Sequence, residues 1–82
     1  MRTFIVFRTK ARQVVNESEK NNYREGDLPQ FEGVEFTDGT VVVRWLTETK
    51  SHSIWDSIES LKAVHIYAHP DYGTRIEWSA VY

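Results

Sequence analysis

Three histidines and a scatter of carboxylates and hydroxyls are the residues of this chain that could do chemistry. His65 and His69 stand four apart, a spacing at which two imidazoles on one helix face can share a metal. The residues between them are Ile66, Tyr67 and Ala68, so there is no H-E-x-x-H. Pro70 is expected to end any helix before His69 and so to break the pair. Asp71 and His52, the other candidate ligands, lie elsewhere in the sequence. Ser51, His52 and Ser53 are contiguous, whereas a nucleophile and its base must meet in space, each oriented by a third group. No G-x-S-x-G and no phosphate-cradling glycine loop is present. The carboxylate pair Glu17/Glu19 falls in a polar stretch without a scaffold. The residues therefore argue for a non-enzymatic protein with no cofactor and no metal, a minimal hydrolase being the remaining alternative.

Binding chemistry is the better match. Arg44 and Arg75, with Arg8 or Arg12, could gather a small anion such as a nucleotide phosphate, and Trp55 could supply a stacking surface. Trp45 and Trp78 fall on expected core faces, so packing explains them. Arg44 and Arg75 paired with Glu35 and Glu77 is the plainer alternative.

The elements that must position these residues centre on a hairpin. Asp38-Gly39 lies between two β-favouring runs, and the pair tolerates the positive φ of a two-residue turn. That register sets Phe36 opposite Val41 and Val34 opposite Val43. Val34, Phe36, Val41, Val43 and Trp45 then form the core face, and Gly33, Glu35, Val42, Arg44 and Leu46 the other. A first strand is expected over Thr3–Arg8, with bulk on both faces. A short apolar piece follows at Ile54-Trp55. Asp56 and Glu59 fit a capping box for a helix over Ser57–Ile66, with Ile58, Leu61, Val64 and His65 on one stripe. That stripe is expected to pack on Phe36, Val43 and Trp78. Thr74–Trp78 alternates and is the last strand, which Ser79–Tyr82 extends or leaves to fray. The order β, loop, ββ, β, α, β describes an α+β domain: an antiparallel sheet with one helix on one face.

Eighty-two residues make one domain with a thin core. The absence of Cys excludes disulfides and suits a reducing cytoplasm. A net charge of −2 argues against nucleic acid, and no apolar run approaches a membrane span. Charge is uneven: residues 1–12 hold four bases and no acid, while residues 13–38 hold seven acids against two bases. Lys10–Gln30 lacks an apolar period and reads as a long, mobile loop. Such a loop can order on a partner. Glu17, Glu19, Tyr23 and Arg24, beside an open edge of the first strand, are the residues expected to contact one. The expected partner is a protein, with self-association a second possibility.

One stretch carries a resemblance. Phe36-Thr37-Asp38-Gly39-Thr40-Val41-Val42-Val43-Arg44-Trp45, then Trp55-Asp56-Ser57, Val64-His65 and Gly73-Thr74-Arg75-Ile76-Glu77-Trp78 resemble a family of small uncharacterised proteins of actinobacteria and their phages. Where those proteins carry a shorter, glycine-rich turn after the His, this chain has Ile66–Asp71. The resemblance implies only a bacterial or phage accessory protein of the cytoplasm, and no catalytic residues. The expected function is that of a protein–protein module that engages a host protein.

Overall fold

The fold is seen in a computed structural model that describes residues 1–80. Five strands form one antiparallel sheet: β1 (Arg2–Arg8), β2 (Pro29–Glu35), β3 (Val41–Trp45), β4 (Ser51–Trp55) and β5 (Thr74–Ala80), in the order β4-β3-β2-β1-β5. One main helix, α2 (Ile58–His65), links β4 at one edge to β5 at the other. A single helical turn, α1 (Ala11–Val14), and two 3₁₀ segments, Glu17–Asn22 and Pro70–Tyr72, complete the chain. This is the α+β architecture expected from the order of elements. Val81 and Tyr82 lie outside the described residues; Ser79 and Ala80 continue β5.

The hairpin differs from the sequence reading by one residue. The loop is Thr37-Asp38-Gly39: Gly39 N–H donates to Phe36 O at 3.0 Å, and Phe36 N–H donates to Thr40 O at 2.8 Å. Gly39 has φ of 93°, as a three-residue loop with a left-handed last residue requires. The Asp38 carboxylate accepts from Thr40 N–H at 2.9 Å, which holds its pKa below the usual range. The register becomes Val34↔Val42 and Gly33↔Val43. Because side chains alternate, a one-residue shift turns all of β2 over. Val34 and Phe36 leave the core face; Phe31, Gly33 and Glu35 take it.

Core filling explains the choice. The shift exchanges Phe36, which ends 43% exposed, for Phe31, which is fully buried. Gly33 is needed at its new place, because a Cβ there would lie 2.4 Å from the Phe4 ring. Glu35 reaches the edge of that face and pairs with Arg2 at 2.7 Å. A bulge at Gln30 also marks β2: Val6 pairs Phe31 while Phe7 pairs Pro29.

Phe4, Val6, Phe31, Val41, Val43 and Leu61 form the core between sheet and helix. Ser57, not Asp56, caps α2, in a reciprocal box with Ser60. Ser57 is the residue that has extended backbone while its hydroxyl accepts from Ser60 N–H at 3.2 Å. The inward stripe is Leu61, which is buried, with Ile58 and His65 half-buried beside it; Val64 is 49% exposed. His65, four residues after Leu61, holds the inward position at the last turn with its ring edge-on to Trp45 and Trp55, and Val64 falls on the outward flank of the same turn. Phe36, on the other side of the sheet, cannot contact the helix. β4 begins at Ser51, earlier than Ile54, because Ser51, His52 and Ser53 pair with Trp45, Arg44 and Val43.

Candidate functional site

Arg8 does not belong to an anion site on the surface. It is 5% exposed and points to the helix side of β1. Its Nη2 donates to His65 O at 2.6 Å, near the C-terminal end of α2, where a cation is favoured. The rings of Tyr23, Phe31, Trp45 and Tyr72 surround the guanidinium at 5.3 to 5.8 Å. No carboxylate pairs with it among the described residues, so aromatic faces take the place of water. Burial lowers its pKa. Arg8 joins β1, α2 and the Tyr23 segment.

Trp55 is on the same side. Its indole N–H and that of Trp45 both donate to Ser53 Oγ, at 3.0 and 3.2 Å. The His65 ring lies edge-on to both indoles, at 4.8 and 5.3 Å. Burial first, then Arg8, holds its pKa below the ordinary histidine value. His69 lies beyond the end of α2 and stacks on Tyr72 at 4.5 Å, so the two histidines are not presented from one helix. Tyr72 and Tyr23 share a hydroxyl–hydroxyl hydrogen bond of 2.9 Å, which with burial pushes the Tyr72 pKa up to about 12.

The Lys10–Gln30 segment is tied to the rest of the fold by Lys10 N–H, which donates to Tyr72 O at 2.8 Å, and by the Tyr23–Tyr72 hydroxyl bond, and it is held in shape by hydrogen bonds to its own backbone carbonyls. Arg12 donates to Tyr23 O, and Arg24 to Pro29 O. Gln30, buried at the bulge, accepts from Arg24 N–H and donates to Asn22 O. Tyr23 and Arg24 are thus engaged internally. Glu17 pairs with Lys20 at 2.9 Å, and Glu19 is exposed. The strand beside this segment offers no free edge, since β1 pairs with β2 on one side and β5 on the other.

The sheet face away from α2 is the open surface. Thr3, Val34, Val42 and Ile54 lie side by side across four strands, and the next row runs Glu77, Ile5, Glu32, Arg44 and His52. Phe7 and Arg75 follow. Ile54 is 74% exposed. A shallow depression of about 440 Å³ is lined by Thr3, Phe4, Ile5, Glu32, Gly33, Val34, Val42 and Arg44. Arg44 lies 3.3 Å from His52 Nε2 and, among the described residues, pairs with no carboxylate. Arg75 shares the face but lies three strands away, roughly 14 Å at ordinary strand spacing. It rests on the Phe7 ring at 4.5 Å and pairs with Glu77 at 3.6 Å. Arg44, Arg75 and Trp55 therefore do not converge. The apolar members of the face went unnoticed in the sequence although the signal was there: β1 carries bulk on both faces, and Val34 and Val42 face across the hairpin in the correct register.

No helix among the described residues is long and apolar enough to cross a membrane. Neither a curated protein nor a solved structure matches the chain. A family model does match, over residues 31–80, the stretch from β2 through β5 that includes the hairpin, α2 and four strands of the open face. The chain belongs to the family described as Acb5 phage protein.

Proposed function

We propose that this phage-family protein is a non-enzymatic binding protein that engages a host protein through its open sheet face. The observation that carries the reading is the row Val34, Val42 and Ile54, with Ile5 and Phe7 beside it, on a face that no element of the described chain covers. Contiguous apolar surface rimmed by charge marks an interaction site. Arg44, Glu32, Glu77 and Arg75 supply both signs around it, so the fitting partner is a protein surface with an apolar centre and charges of both signs. Tyr23 and Arg24 serve the fold, which moves the expected contact from the Lys10–Gln30 segment to the sheet.

The test is capture from host lysate by immobilised protein, with identification of what is retained and direct titration of the purified partner. Ile54→Lys combined with Arg44→Glu should abolish retention while the melting curve stays nearly unchanged, since both side chains are at the surface. Retention equal to that of the unaltered protein refutes the use of this face.

A second reading has its own observation. The depression beside Arg44 holds a guanidinium without a carboxylate partner, suited to a small phosphate-bearing ligand such as a nucleotide. Calorimetry with nucleotides separates the two: saturable heat that disappears in Arg44→Ala supports the ligand, and its absence leaves the protein partner.

A further inference from the structure

The seven-residue strand β5 forms one edge of the sheet. It contains no proline, lysine or bulge, three of the devices that protect an edge from pairing, and its two charges, Arg75 and Glu77, are of opposite sign. The direction of its free backbone groups follows from the ladder. Phe36 N–H donates to Thr40 O, and Leu46 N–H to Gln30 O, so even-numbered residues of β2 bond to β3 and odd-numbered ones to β1. Even-numbered residues of β1 are then used by β2, and odd-numbered ones by β5. Two contacts agree: Gly73 O accepts from Thr9 N–H, and Ser79 O accepts from the Thr3 hydroxyl. The backbone groups of Arg75, Glu77 and Ser79 therefore point to β1. Those of Thr74, Ile76 and Trp78 point outward and meet no partner among the described residues.

We infer that a second copy of this chain occupies that edge, β5 against β5 in antiparallel register about a two-fold axis at Ile76. Registers centred on Arg75, Ile76 or Glu77 let the outward groups at the middle of the strand meet, and side-chain charge selects among them. Centring on Arg75 opposes two arginines, and centring on Glu77 opposes two glutamates. Centring on Ile76 sets Arg75 of each copy opposite Glu77 of the other, twice, at positions where facing side chains come closest. In the same register Thr74, Ile76 and Trp78 exchange both backbone bonds with their counterparts. Ile76 and Trp78, only partly covered at the rim of the core, gain cover from their symmetry mates. A two-fold interface of this kind is self-complementary by construction. The product is one continuous sheet with α2 of both copies on one side and both open faces on the other. This inference concerns an edge and is tested by self-association alone, although Arg75 and Glu77 also rim the open face.

Sedimentation equilibrium over a dilution series tests it, together with amide exchange at the two ends of the series. The expected result is a concentration-dependent mass rising from one chain to two, with Ile76 and Trp78 amides protected only in the concentrated sample. Arg75→Glu and Glu77→Arg should each weaken association by about tenfold or more, and the double exchange should restore it, because opposite charges again face each other. A monomer throughout overturns the inference. So does a dimer that ignores the single reversals, or one in which those two amides remain unprotected.

Discussion

Replacing Phe31 and Phe36 in turn decides the hairpin register by energy. Phe31 is fully buried, tilted against Trp45 with ring centroids 4.4 Å apart, and 5.7 Å from the Arg8 guanidinium. Its removal leaves a cavity under the helix-side residues and strips one wall from the Arg8 enclosure. Phe31→Ala should cost about 3–5 kcal/mol, the usual range for a buried phenylalanine. Phe36 stands on the loop shoulder with 43% of its surface in water, so Phe36→Ala should cost about 1 kcal/mol or less. The total stability of such a domain is on the order of 5–15 kcal/mol, so the first variant approaches unfolding while the second does not. Urea titration followed by tryptophan fluorescence reads both midpoints. If Phe31→Ala does not fold, Phe31→Leu and Phe36→Leu repeat the comparison with smaller cavities. The two-residue turn Asp38-Gly39 would place Phe36 inside and Phe31 outside. A larger loss at Phe36 than at Phe31 would therefore refute the three-residue loop.

Three further outcomes are expected. Gly39→Val should lower stability by more than about 1 kcal/mol although nothing lies within 4 Å of the added Cβ, because the cost is the positive φ; Gly39→Asn should lose less, and equal midpoints would contradict this. Leu61→Ala should cost about 2–5 kcal/mol in chemical denaturation, with Val64→Ala within about 0.5 kcal/mol of the unaltered protein. Stability should also fall with pH below about 6.5, where the unfolded chain binds a proton at His65 that the folded chain, with its lowered pKa, resists. The loss levels off once pH has passed the folded value, and His65→Gln should flatten that part of the profile. An unchanged slope in the variant would show that His65 does not carry it.

Local chemistry settled much of this protein in advance. Asp38-Gly39 demanded a turn with a glycine at positive φ, and the alternation of Val41, Val43 and Trp45 placed those residues toward the core, as the structure has them. Ile58 and Leu61 at helical spacing, behind a cluster of serine and aspartate, announced α2. Thr74-Arg75-Ile76-Glu77-Trp78 announced the last strand and its inward residues. Each rests on a periodicity or a backbone preference carried by neighbouring residues, and so needs no knowledge of the rest of the chain.

Competition between distant residues settled what remained. Whether the loop holds two residues or three changes little within the hairpin. Phe4 on β1, whose ring fills the space that only Gly33 leaves, and Phe31, which has no other core to enter, fix the choice. The polar look of Lys10–Gln30 hid a folded segment because its ties run to backbone carbonyls, which every residue carries and no composition reveals. Arg8 read as a surface cation, and only the convergence of four aromatic rings with the end of α2 makes its burial tolerable. The open face is the same kind of result: Ile5, Val34, Val42 and Ile54 come from four strands, and their sequence patterns look like those of covered residues. They form one exposed surface because a single eight-residue helix can shield one side of a five-stranded sheet and not both.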